Sequence, residues 1–306
     1  MTPPEPGSPS LGRRRLRGAL LGIAAALLLT CGAPPRALEW PATSTETRPW
    51  AYWWWMGSAV TREDLTQVLE SYREAGLGGV HVIPIYGVRG QEDRFIPFLS
   101  GEWMEMLAHT VAEGERLGLG VDATAGTGWN FGGPHVALSD AAARLVLESY
   151  DLAAGQRLSA PVEHRGEEGP SALAALVAYS DDGAVEDLTR RVDEQGLLDW
   201  TPPSGTWRLY AVFDERFGQE VERAAPGGEG YLLDFFSETV LRRYLARFDE
   251  AFAPHPGLAV RAFYNDSFEV PDANWTSSFF EEFEERRGYD LRRHLPALAG
   301  DAGEDE

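Results

Sequence analysis

The sequence has no lysine. All 27 of its Lys-plus-Arg residues are arginine, set against 48 Asp and Glu, and the formal net charge is −21. Acidity on this scale repels polyanions, which excludes nucleic acid and anionic membrane surfaces as partners. Only one cysteine is present, Cys31, so no disulfide forms within the chain and its core must hold it together. The six histidines are scattered, with no His-x-His or His-Glu-x-x-His, which argues against a zinc site. Ser58 and Ser267 lack the Gly-x-Ser-x-Gly frame of a serine hydrolase. No Gly-Lys-Ser/Thr and no EF-hand spacing occurs, although carboxylates and carbonyls able to hold a hard cation are plentiful. The glycine loop Gly126-Thr-Gly-Trp-Asn-Phe-Gly-Gly133 does not have the Gly-x-Gly-x-x-Gly spacing of a dinucleotide fold.

What is present is apolar and aromatic. Of 306 residues, 43% are hydrophobic and 11% aromatic, enough to bury a sizeable core. Ten tryptophans are a heavy load; Trp packs well and also forms the platforms on which sugar rings lie. Residues 1–31 read as a targeting segment, with Arg13, Arg14, Arg15 and Arg17 ahead of an apolar run from Gly18 to Thr30. That run is short for a permanent membrane helix, and it ends at Cys31, as in a bacterial lipoprotein signal. Export with lipidation at Cys31 is one expectation. Ordinary cleavage farther along is the other, because Thr30 departs from the usual small residue. The paired arginines also have a weak likeness to a twin-arginine signal.

Residues 32–47 have the composition of a linker. From 48 to 140, strand and helix patterns alternate. Trp50–Ser58 alternates as a strand covered on both sides, and Leu65, Val68, Leu69, Tyr72 and Ala75 mark a helix opened by Thr61 and Asp64. Gly79–Tyr86 and Leu119–Ala125 are further strands, separated by a helix over Glu102–Leu117. Between 141 and 225 the pattern becomes short β-like runs with turn signals, a small antiparallel domain inserted in the body. The body resumes at 226–300 with a helix whose face is Leu241, Tyr244, Leu245, Phe248 and Phe252. A last strand and helix follow, and 301–306 is an acidic tail. About four β/α units predict an α/β fold, a partial (β/α)8 TIM-like barrel.

The last strand, Leu258–Val270, alternates small and apolar residues and then turns polar at Asn265, Asp266, Ser267 and Glu269. A strand that becomes polar at its C-terminal end, ahead of a helix with Phe279, Phe280, Phe283 and Arg287 on one face, is where α/β barrels place chemistry. Glu269 is the candidate catalytic acid and Asp266 its support. The competing expectation is an Asx turn or a helix cap. The candidate sugar-contacting groups are Trp54, Tyr86, Asp122, Trp129, Asn130, Glu229 and Asn265. For Trp129 the alternative is a tight turn with a buried indole.

Several stretches together resemble the start of the catalytic domain of glycoside hydrolase family 106, the α-L-rhamnosidases and relatives. They are Tyr-Trp-Trp-Trp-Met-Gly (52–57), Ala-Gly-Leu-Gly-Gly-Val (75–80), Thr-Gly-Trp-Asn-Phe-Gly-Gly (127–133), Pro-Gly-Gly-Glu-Gly (226–230) and Asn-Asp-Ser-Phe-Glu (265–269), with Asn274-Trp-Thr and Arg287-Gly-Tyr-Asp. The resemblance implies inverting hydrolysis by a general acid and a general base, a carbohydrate substrate, and often calcium near the site. By motif position Glu269 resembles the family's general acid, whereas the family's general base lies beyond the matching segment. An acid of this kind needs a raised pKa, which an aromatic, partly dry pocket would give. A rival expectation from another class is a non-catalytic carbohydrate-binding lipoprotein.

Overall fold

The structure is a computed structural model that describes residues 40–164, 169–265 and 267–300. It divides into a unit ending at Thr43 and a unit beginning at Ser44, and all that follows concerns the second. The proposed targeting segment with Cys31, the acidic tail and Asp266 lie outside the described residues.

The body starts as the alternation requires. Strands β1 (Trp50–Met56), β2 (Gly79–Ile85) and β3 (Gly120–Thr124) pair in parallel in that order. Helix α1 (Arg62–Glu74) lies between the first two strands, and α2 (Gly101–Leu117) between the second and third. Thr61 caps α1 by accepting from the Asp64 N–H, and Ser100 caps α2 by accepting from that of Trp103. Gly118, left-handed at φ +66°, ends α2. Leu65 and Leu69 of α1, Trp103, Met104 and Leu107 of α2, and Trp55, Val80, Val82 and Val121 of the strands form one core.

That core covers only one face of the sheet. The opposite face presents Tyr52 and Trp54, each 55% exposed, beside His81 and Asp122. The expectation that β1 is covered on both sides is therefore corrected: among the described residues, nothing packs over Tyr52 and Trp54 as the helices pack over Trp53 and Trp55.

Beyond β3 the chain forms a short antiparallel pair, β4 (Gly132–Gly133) with β9 (Tyr231–Leu232). Between these lies a four-stranded antiparallel sheet of β5 (Ala143–Ala153), β6 (Ser171–Ser180), β7 (Val185–Asp187) and β8 (Thr206–Arg216), in the order β5-β8-β6-β7. Period-two alternation puts Trp207, Leu209, Ala211 and Phe213 on one face, in a core with Leu176, Leu188 and Trp200. Tyr210 and Val212 point the other way, into a core shared with Trp275, Phe280, Leu291 and Leu295 from the end of the chain. This antiparallel sheet is packed on both faces, one of them against C-terminal segments.

Helix α3 (Glu238–Phe252) buries Val240, Tyr244 and Phe248 against the first core; Leu245, expected on that face, is exposed. Strand β10 is two residues long, Phe263–Tyr264, parallel to β3. The strand expected over the first half of Leu258–Val270, ahead of the polar residues from Asn265, is thus shorter, and Phe263 and Tyr264 are exposed rather than buried. Residues ahead of it still run alongside β3, with the Arg261 N–H donating to Val121 O and the Ala123 N–H to Ala262 O. Helices α4 (Phe279–Arg287) and α5 (Leu295–Leu298) close the described chain.

Candidate active site

Three strand ends converge. The loop after β3 is tied to β2 by the Gly128 N–H, which donates to Pro84 O at 2.8 Å. The Tyr86 N–H, just past β2, donates to Arg223 O, and the Trp129 N–H to Glu222 O. The two glycine-rich motifs therefore share one surface: Gly132 and Gly133 pair with Leu232 and Tyr231. A Cβ at Gly132 would stand 2.4 Å from Tyr231 O, and one at Gly230 would stand 2.3 Å from the Gly133 backbone. Glycine is there because backbone meets backbone. Tyr244 of α3 braces this loop from below, donating its hydroxyl to Ala125 O at 2.6 Å, and burial pushes its phenol up. His135 stacks on the Tyr244 ring with centroids 4.9 Å apart; burial, and secondarily the Arg247 charge, hold its imidazole below the ordinary value.

The chain after β10 reaches this loop through one side chain. Asn130 is 5% exposed and left-handed at φ +65°. Its Nδ2 donates to Glu269 O at 3.0 Å, and its Oδ1 accepts from the Glu269 N–H at 3.1 Å. Asn130 was expected to offer its amide to a sugar; that amide is committed to the backbone of Glu269 instead. The two residues lie 139 positions apart, a pairing that no local pattern encodes.

Glu269 itself is exposed, as is Phe268, whose ring meets Phe235 edge-on at 5.0 Å. The expected aromatic enclosure of the acid is not formed among the described residues. A cleft of about 220 Å³ opens beside it, lined by Phe235, Phe236, Phe268, Val270 and Asp234. Burial pushes the Asp234 carboxyl up, against the pull of Thr276, the Phe236 N–H and Arg216. Arg216 joins this residue to the antiparallel sheet, donating to Asp214 at 2.9 Å, Asp234 at 3.3 Å and Ser277 at 2.6 Å.

The remaining candidates are dispersed. Tyr86 lies at the mouth of β2 with the Arg223 guanidinium 5.5 Å over its ring. Trp129 is half-buried in the loop after β3. Asn265 follows β10 directly, and neither of its buried amide atoms has a partner among the described residues. Trp54 stands on the uncovered sheet face. Asp122, expected to meet a sugar, is buried mid-strand in a two-bond ion pair with Arg261, at 2.9 and 2.5 Å. Glu229, also expected to do so, closes its own turn by accepting from the Gly227 N–H. Arg223 was missed in the sequence; its left-handed φ of +60° is visible only in the fold. Among the described residues no three His, Cys, Asp or Glu side chains converge as a metal ion would need.

A curated relative, the putative beta-glucuronidase of Formosa agariphila, is 23% identical over 303 residues, covering 85% of this chain and 26% of its own length. The solved rhamnosidase of Novosphingobium sp. PP1Y superposes with a TM-score of 0.69 at 18% identity, over 87% of this chain and 42% of that one. That likeness establishes the mixed α/β fold, and this chain spans under half of either protein. Residues 41–181 and 170–305 match the family described as alpha-L-rhamnosidase, so the chain belongs to glycoside hydrolase family 106.

Proposed function

We propose that this chain carries the general-acid half of an inverting glycoside hydrolase acting on terminal α-L-rhamnose-like sugars. Glu269 is the acid: its carboxylic proton passes to the glycosidic oxygen as the bond to the anomeric carbon breaks. A second carboxylate removes a proton from water attacking the opposite face. In an inverting enzyme the two carboxyl groups stand roughly 6.5–9.5 Å apart. We assign that second carboxylate to sequence corresponding to the rest of the relatives' length, and Asp266 to supporting Glu269. The observation that carries the reading is the anchoring of Glu269 at the strand mouths, through Asn130, in a chain of this family.

The same reading extends to architecture. Strands β1, β2, β3 and β10 follow one another in sequence order, and α1, α2 and α3 all pack on one face. A doubly wound sheet would place helices on both faces, whereas single-sided winding is that of a barrel wall. Residues 48–140 and 226–300 are therefore assigned to part of a (β/α)8 barrel, with 141–225 inserted. The open face with Tyr52 and Trp54 is the barrel interior. Export and lipidation at Cys31 belong to the same proposal, which makes the protein an anchored extracytoplasmic enzyme.

The test uses the product of the whole reading frame that contains this chain. Glu269→Gln is expected to lower kcat on an alkyl α-L-rhamnoside by about 100-fold or more, the scale of general-acid catalysis, with an unchanged melting temperature. Full activity in the variant refutes the assignment. A preference for an aryl β-glucuronide over the rhamnoside corrects the sugar while keeping the acid. Saturable sugar binding with no turnover in wild type favours the non-catalytic alternative.

A further inference from the structure

We propose that Asn130 is a positioning residue for the acid, holding Glu269 at the strand mouth as a neighbouring strand would hold it. The inference rests on the reading of Glu269 as the general acid. Past Tyr264 the chain leaves regular pairing, and the nearest backbone bond is that from the Val270 N–H to Phe268 O. Among the described residues, Asn130 is the partner of both the Glu269 N–H and its C=O.

Only an amide does this. It offers a donor and an acceptor in one plane, so it reproduces the two bonds that an antiparallel neighbour exchanges with a residue. A carboxylate loses the donor, and glutamine is one methylene too long for the same reach. Asn130 is itself fixed from three sides: Gly128 is bonded to Pro84, Trp129 to Glu222, and Gly132 and Gly133 to β9. Its left-handed backbone, at φ +65°, is a conformation that asparagine tolerates better than other non-glycine residues. The loop thereby converts the rigidity of β2, β3 and β9 into a fixed backbone for Glu269. Because the acid's own side chain is exposed, its aim depends on where that backbone is held.

The experiment compares Asn130→Gly and Asn130→Asp with wild type in the whole reading-frame product. Glycine keeps the left-handed backbone and removes both bonds; aspartate keeps the acceptor and removes the donor. Two readouts are taken. The first is hydrogen exchange at the Glu269 amide, which involves no activity; Asn130→Gly is expected to speed it by about 10-fold or more, the loss of one protecting bond. The second is kcat on α-L-rhamnosides of graded leaving group. Alkyl leaving groups need the proton and are expected to slow by about 10-fold or more, while a dinitrophenyl leaving group stays within about threefold, with KM little changed. Asn130→Asp is expected to fall between. Equal loss on every leaving group, or unchanged exchange at Glu269, overturns the proposal. If Glu269→Gln shows no leaving-group selectivity while the exchange result holds, the acid assignment fails and the backbone clamp stands. Should the glycine variant not fold, the aspartate variant decides on kinetics: it keeps the acceptor that protects the Glu269 N–H and loses the bond to Glu269 O, so alkyl leaving groups are expected to slow more than the dinitrophenyl one, and unchanged or equal rates on both refute the proposal.

Discussion

At the scale of single residues, the site is built from side chains that spend their polar atoms on backbone. Asn130 holds Glu269, Tyr244 holds Ala125, and Glu229 closes its own turn. These bonds set backbone positions. His135 shows the cost of such packing. Its folded pKa lies below the ordinary 6.5, so the unfolded chain binds the proton more readily. Its contribution to stability is intact above about 6.5 and is lost as the pH falls below that value. Replacement by Phe, which keeps a ring against Tyr244 and removes the titration, is expected to give a shallower fall in Tm between about pH 7.5 and pH 5. Identical pH profiles for wild type and His135→Phe would count against this account. The glycines carry a companion prediction. Gly132→Ala must displace the Tyr231 carbonyl, and chemical denaturation is expected to show a loss of about 1–3 kcal/mol, the scale of overpacking.

At the scale of elements, the long strands and the capped helices were legible and the last strand was not. Thr61 caps its helix as expected, whereas the Ser100 cap and the sorting of β8 side chains into two cores are seen only in the structure. The first half of Leu258–Val270 has the same apolar alternation, yet only Phe263 and Tyr264 pair as strand. Alternation reports which side chains could share a face; it does not report whether a neighbour is present to bond the backbone. The junction of antiparallel sheet and body rests on Arg216, whose guanidinium serves Asp214, Asp234, Ser277 and Ala141 O. Removing it strands two buried carboxylates. Arg216→Ala is expected to cost about 3–5 kcal/mol, the penalty of breaking a buried pair, and a loss under about 1 kcal/mol in urea titration would contradict that role.

At the scale of the molecule, β1 at the edge of the parallel sheet has a covered face and an open one. Tyr52, Trp54, Met56 and Tyr264 are exposed aromatic or apolar groups close together on the open side, with Tyr52 and Tyr264 hydroxyls 2.9 Å apart. A patch of this kind on an isolated chain invites association. Sedimentation of the chain by itself is expected to show concentration-dependent self-association, reduced by Trp54→Glu; a monodisperse monomer in both would argue against it. No described helix is long and apolar enough to cross a membrane, so the anchoring proposed at Cys31 stands on the N-terminal sequence. Metabolic labelling with a clickable fatty acid is expected to mark wild type and not Cys31→Ser, and equal labelling would refute lipidation.

The sequence by itself determined what depends on neighbours a few positions away. The Thr61 cap, the alternation that sets Trp53 and Trp55 opposite Tyr52 and Trp54, the turn glycines and the change from helical periods to short β runs are all local, and so are the motifs that carry the family likeness. Tertiary structure decided which surfaces meet. That the two glycine-rich motifs lie backbone to backbone, that Asp122 pairs with Arg261, and that Asn130 reaches Glu269 each require segments 98 to 139 positions apart to be brought together. Spacing along the chain cannot report such a meeting. It is set by which apolar faces α1, α2 and α3 bury against one side of the sheet, and the loops at the strand ends are carried to their places by that burial.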